Sequence, residues 1–205
     1  MLYNSIIIKR GEKLMKKISK GMIALIVVIV LIVIAAIAIV SSYNGLVGER
    51  EKVLSAQSEI ENSLQRRADL IPNLVETVKG YASHETEAIN QVTEARTKMS
   101  GASTLEEKME ANEEISSALS RLLVVVENYP DLKASENFIQ LSDELAGTEN
   151  RISTTRRDYN NAAREYNTRI KKFPTSLIAS IFNFDEFPYF EANEGAENVP
   201  QVNFD

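Results

Sequence analysis

SENFIQLSDELAGTENRISTTRRDYNNAAREYNTRIKK, residues 135–172, carries Phe138, Leu141, Leu145, Ile152, Tyr159, Ala162, Tyr166 and Ile170 at seven-residue intervals or close to it. A period of about 3.5 keeps one apolar stripe facing a neighbour over many turns, the requirement of helices packed at about 20°. This stretch therefore predicts one long helix in an all-α bundle. Between residues 43 and 172 no segment alternates apolar and polar side chains as a strand would, and spacings of three and four persist throughout.

Working back from residue 135, breakers and caps divide the chain into three further helices. Pro130 closes a helix that Thr104 opens, with Glu107 three residues on completing a capping box and Ile115, Leu119, Leu122 and Val126 as the buried face. Ser100-Gly101-Ala102-Ser103 ends the helix before it, whose stripe is Ile71, Leu74, Val75, Val78, Ala82, Ile89, Val92, Ala95 and Met99. Asp69 is placed to cap that helix, so that Pro72 falls in the first turn, where its missing N–H does no harm. The competing reading is one long helix kinked at Pro72. The first helix then spans residues 44–67, with Leu46, Val53, Ile60 and Leu64 on its stripe. Gly45 and Gly48 near its start cost about 1 kcal/mol each relative to Ala and are expected to loosen its joint to whatever precedes it. Short connections force neighbours to alternate in direction, so the expected bundle is an antiparallel up-down four-helix bundle over residues 41–172.

Residues 173–205 differ in composition. They hold six of the seven phenylalanines, no Lys or Arg, and six carboxylates. The simpler expectation is that Leu177, Ile178, Ile181 and the aromatics of this irregular tail fold back over an open end of the bundle. The rival is a docking segment, for a partner or for the lipid interface, built on Phe182, Phe184, Phe187, Tyr189 and Phe190, since clustered exposed aromatics mark contact surfaces. The acidity argues against binding anionic lipid.

At the other end, residues 22–40, MIALIVVIVLIVIAAIAIV, begin at Met22, end at Val40 and contain no polar side chain. Nineteen residues of helix span roughly 28 Å, close to the thickness of the hydrocarbon core. Lipid offers no partner to backbone N–H and C=O groups, so a helix is required there, and the lipid bilayer is the expected partner of residues 22–40. The alternative, a signal peptide cleaved at Ala36-Ile37-Ala38, lacks a polar region before the cleavage point. Lys9, Arg10, Lys13, Lys16, Lys17 and Lys20 stand before the span against Glu12 alone, whereas residues 41–48 carry no charge. The positive-inside rule thus puts residues 1–21 in the cytoplasm and the bundle outside, in the cell envelope. Translation is expected to start at Met15: Met15-Lys16-Lys17-Ile18-Ser19-Lys20 reads as a natural start to an anchor, and Arg10-Gly11-Glu12 can be encoded by a purine-rich ribosome-binding run.

The net charge of −6 divides into +5 before residue 40 and −11 after it, which makes nucleic acid an unsuitable partner. With no cysteine there is no disulfide, thiolate metal site or Cys nucleophile. His84 is the sole histidine; no G-x-S-x-G elbow or phosphate-cradling glycine loop exists, and a di-iron site would need two Glu-x-x-His motifs where His84 has Tyr81 at that spacing. Pairs such as Glu106-Glu107 and Glu113-Glu114 point in different directions on a helix and read as solvated faces. Neither an enzyme nor a cofactor is expected.

The densest cluster of special residues is Arg66, Arg67, Asp69, Leu70, Pro72 and Asn73, read as a structural corner in which the arginines suit a helix C-terminus and Asp69 the next N-terminus. The run RRADLIPNLVETVKGYASHE, residues 66–85, resembles the LemA family of bacterial membrane proteins, as do Tyr43-Asn44, Tyr159-Asn160, Tyr166-Asn167 and Lys172-Phe173-Pro174. The resemblance implies a single-span protein with a helical bundle and no generally assigned reaction. The function expected is a non-catalytic scaffold or adaptor for an unknown protein partner or for self-association. The rivals are a ligand sensor coupled to the span and a membrane-remodelling factor.

Overall fold

The computed structural model describes residues 20–190. The Met15 start, the basic residues before Lys20 and Phe204 lie outside the described residues. Six helices follow one another: α1 (Lys20–Tyr81), α2 (Thr86–Gly101), α3 (Leu105–Val126), α4 (Pro130–Lys133), α5 (Glu136–Lys171) and α6 (Thr175–Ile181).

The 62-residue α1 is about 93 Å long. Every side chain of residues 21–40 is exposed, and this is the one helix among the described residues long and apolar enough to cross a membrane. Burial begins at Leu46 and recurs at Val53, Ile60, Arg67 and Leu74, every seventh residue. The facing stripe of α5 buries Phe138, Leu145, Ile152, Tyr159 and Tyr166 at the same interval. Glu49 pairs with Arg169 at 3.3 Å, Glu59 with Arg151 at 3.6 Å and Arg66 with Glu144 at 3.0 Å, so the numbers rise along α1 as they fall along α5.

Between α2 and α3 the order is likewise reversed, with Lys98 on Glu114 at 2.6 Å and Arg121 on Gln91 at 3.2 Å. Thr104 caps α3 with the reciprocal Glu107 bond that the sequence predicts. Lys108 reaches Glu61 at 3.9 Å, so the turn of this hairpin lies near the middle of α1 and the hairpin covers only the half of the core remote from the apolar segment. In the nearer half, α6 and the segment that follows it, residues 184–190, take its place, with Phe184, Phe187 and Phe190 half-buried on the core. Asn183, at φ 54°, adopts the left-handed conformation after α6, and the Phe184 N–H donates back to the Ala179 carbonyl at 2.9 Å, a Schellman-type closure that redirects the chain.

The expected helix boundary at residues 67–69 is not there. The helix continues through Pro72, the competing reading, and the chain turns instead at residues 82–85. Pro72 has no N–H to give the Ala68 carbonyl, and Arg96 of α2 supplies the missing donor through Nε at 3.2 Å. Asp69 is therefore no N-cap; its carboxylate accepts from Gln65 Nε2 at 2.8 Å within the helix. The arginines sit at no helix terminus, and the dipole argument for them lapses. Periodicity hid the true turn, because Val78, Ala82, Ile89 and Val92 keep the same spacing on both sides of it. Gly45 and Gly48 form no loose joint either, being internal to α1. Gly45 instead admits the Arg169 guanidinium, whose Cζ would stand 3.0 Å from a Cβ at that position.

Candidate functional site

Because α1 is unbroken, the six signature residues fan out around it, and five of them line two different grooves. Arg66, Asp69, Leu70 and Asn73 border an open groove of about 580 Å³ between α1 and α5, whose other wall includes Asn137, Gln140, Leu141 and Glu144. Arg66 holds Glu144 across it, Leu70 is buried, and the Asn73 carbonyl accepts from Thr77 Oγ1 at 2.8 Å. Pro72 is half-buried.

Arg67 points elsewhere. It occupies a core position of the seven-residue series and is only 4 % exposed. Its Nη1 donates to Asn112 Oδ1 at 2.6 Å, to Ser116 Oγ at 3.1 Å and to the Glu149 carboxylate, tying α1, α3 and α5 together. Burial pulls the guanidinium below its ordinary value, against the attraction of Glu149 and its hydrogen bond. Among the described residues Arg67 Nε and Ser142 Oγ are buried without a hydrogen-bond partner, and both residues line a cleft of about 290 Å³ with apolar walls from Leu74, Leu119 and Leu145. A guanidinium bordering an apolar cleft has the chemistry to hold a carboxylate, and here it holds that of Glu149, which lines the same cleft. Glu149, with its side chain 47 % exposed, is the element of the cluster open to water. Sequence reading singled out Arg67 but missed Asn112, Ser116, Ser142 and Glu149. The available signals were Arg67 falling in the Leu46, Val53, Ile60 series and Asn112 falling three residues before Ile115 on a buried face.

The tail is held by two Tyr-Asn pairs of α5. The Asn167 side chain donates to the Phe187 carbonyl at 2.8 Å and accepts from the Phe187 N–H at 3.0 Å. Asn160 does the same for Phe190 at 2.7 and 2.9 Å. The preceding tyrosines carry the rings: Tyr166 meets Phe187 at 5.2 Å and Tyr159 meets Phe190 at 5.0 Å between centroids. Tyr159 also donates to the Pro188 carbonyl at 3.1 Å, and burial raises the phenol of each tyrosine. Seven residues of helix advance about 10.5 Å and three of extended chain about 10 Å, so the two ladders share a register. Of the aromatics expected to dock a partner, Phe184, Phe187 and Phe190 face this chain's own core, while Phe182 and Tyr189 are exposed at 49 % and 47 %.

His84 is exposed in the turn between α1 and α2 rather than on a helix. Among the described residues no group of three or more His, Cys, Asp or Glu is placed to hold a metal ion.

A sequence profile described as LemA family matches residues 56–204. A protein named LemA from Metamycoplasma hominis is 30% identical over 156 residues, covering 76% of this chain and 71% of the relative. Magnetosome protein MamQ 2 of Paramagnetospirillum magneticum is 31% identical over 193 residues, covering 80% of this chain and 71% of the relative. Magnetosome protein MamQ of Magnetospirillum gryphiswaldense is 25% identical, with the same coverage.

Proposed function

This chain belongs to the LemA family, and from that premise we propose that it is a membrane-anchored, non-catalytic scaffold or adaptor. The carrying observation is the unbroken α1: the helix that includes the apolar residues 22–40 is the same helix that forms the core from Leu46 to Val78. A span and a binding body built on one rod hold any bound partner at a set height above the bilayer. In this reading residues 22–40 cross the membrane, the basic residues before them stay in the cytoplasm, and residues 41–172 form an antiparallel bundle in the cell envelope, with 173–205 as its tail. The opposed order of the ion pairs along α1 and α5, and along α2 and α3, supports the antiparallel arrangement. The groove bordered by Arg66, Asp69 and Asn73 is the surface offered to a protein partner or a second copy, with the exposed Tyr189 a further contact. The MamQ relatives bear the name magnetosome protein, which gives a location and no reaction.

A photo-crosslinking residue at Asn73, in cells, tests this. One reproducible partner or a self-crosslink, absent when the probe stands at exposed Arg157 on α5, is the expected result. Equal labelling at both positions overturns the scaffold reading.

A second reading, a ligand sensor, is favoured by the cleft at Arg67. An anion that competes with Glu149 for the Arg67 guanidinium would act directly on α1, the helix that continues into the span. A membrane-remodelling role has no comparable observation behind it.

A further inference from the structure

The short helix α6 presents two unlike faces. Ile178 and Ala179 are buried against the bundle, whereas Leu177 and Ile181, four residues apart on the helix, are exposed at 58 % and 72 %, and Phe173, in the turn that leads into α6, is exposed at 81 %. Phe182 continues that apolar surface at 49 %. Nothing among the described residues covers it. The helix itself carries no charged side chain, and the exposed Lys171 and Lys172 stand just before Phe173.

Its height above the apolar segment follows from the register of α1 and α5. Arg169 lies against Gly45 and Glu49, and α5 runs toward the apolar segment, so four residues later Phe173 stands at the level where that segment ends. The Phe182 ring lies 4.9 Å from the ring of Tyr43. Tyr43 is three residues past Val40, about 4.5 Å along the helix, whereas the headgroup layer on each side of a bilayer is about 5–8 Å deep. An aromatic at that depth is in the belt where amphipathic rings favour the interface.

We propose that the Phe173, Leu177, Ile181 and Phe182 surface is an interfacial collar that enters the headgroup layer beside the span. The chain then grips the bilayer twice, through the span and through α6. The proposal rests on residues 22–40 crossing the membrane. Lipid rather than a protein is the occupant because the patch is continuous, through Tyr43, with an apolar segment that itself needs lipid. It is also uncharged, which suits a neutral interface. Lys171, held by Glu186 at 2.6 Å, and Lys172 are placed as the polar edge of the collar. A consequence is a constraint on tilt, since a rod fixed at two points on its circumference cannot lean freely in the plane.

The absence of cysteine makes the test direct. Single variants Leu177→Cys, Ile181→Cys, Ile32→Cys and Val124→Cys of the full chain, each nitroxide-labelled, are reconstituted in phosphatidylcholine vesicles. Collision with oxygen, enriched in lipid, and with a water-soluble nickel chelate is then measured. Val124 is the aqueous reference, being 71 % exposed on α3 in the remote half. The expected result is full lipid character at Ile32 and, at Leu177 and Ile181, nickel accessibility several-fold below that at Val124 with oxygen accessibility above it. Nickel accessibility at 177 and 181 equal to that at 124, with Ile32 in lipid, overturns the collar and leaves the anchor standing. Shielding from both reagents also overturns it, the surface then being covered by residues 191–205 or by a second copy. An aqueous Ile32 removes the anchor and the collar together.

Discussion

Arg66 and Arg67 are adjacent, identical in type and opposite in circumstance. Arg66 is exposed and holds Glu144 across an open groove, an arrangement whose worth is about 0–1 kcal/mol because water solvates both charges nearly as well. Arg67 is buried, and without Glu149 its guanidinium would keep only Asn112 and Ser116 as partners. Removing one partner of a buried donor leaves the desolvation cost in place, so Glu149→Ala is expected to destabilise by about 1–3 kcal/mol, against at most about 1 for Glu144→Ala. Denaturant unfolding of the full chain in one detergent measures both, and equal losses would contradict the assignment. Arg96 is a similar case made by a different residue: the carbonyl that needs it is free only because residue 72 is proline. Arg96→Ala should cost about 1–2 kcal/mol. Restoring the N–H with Pro72→Ala should recover most of that loss in a double-mutant cycle.

At the scale of elements, the tail is an extended strap fastened by side chains rather than by a sheet. Asn160→Ala with Asn167→Ala removes four hydrogen bonds to Phe187 and Phe190 while leaving the helical backbone untouched. The expected result is rapid protease cleavage around residues 185–190 with α5 still resistant. Base should loosen the same strap. Burial raises the Tyr159 and Tyr166 phenols, so the docked state holds their protons longer than the released state does. Their contribution is complete below the ordinary tyrosine value of about 10 and is lost as pH rises through the raised values. Protease protection of the tail should therefore fall above about pH 10 and not between pH 6 and about 9. A loss confined to the neutral range would point to some other group.

Across the whole molecule, one core is covered in two ways along its length. The α2–α3 hairpin closes the remote half and the strap with α6 closes the half next to the apolar segment. A chain ending after Ile181 should accordingly show faster hydrogen exchange in residues 46–60 and 159–170, with residues 86–126 unchanged. A uniform rise would mean that the two halves unfold as a single unit.

Much of this was legible in the residues. The seven-residue repeat of α5, the stripe of α3 and its Thr104–Glu107 capping box depend on local spacing alone, and each appears as read except that Ala163 rather than Ala162 is the buried alanine of α5. The apolar run of residues 22–40 needs no tertiary partner to be recognised. Where α1 ends could not be read that way. Pro72 looked like a boundary because a proline interrupts the local hydrogen-bond ladder, and the donor for the freed Ala68 carbonyl comes from Arg96, 28 residues on in sequence. The real turn at residues 82–85 was silent, since periodicity reports which face is buried and not the direction in which the chain travels. Nor could sequence say that Arg67 and Arg66 would part company, or that two Tyr-Asn pairs would clip a strap. Each of those depends on which surfaces meet. The sequence by itself determined the all-α class and the buried faces of the long helices, because those are set within a few turns of chain, but not where every helix ends or that the tail would hold α6. The tertiary structure decided which carbonyl, charge and amide would find a partner, because those partners come from elsewhere in the fold.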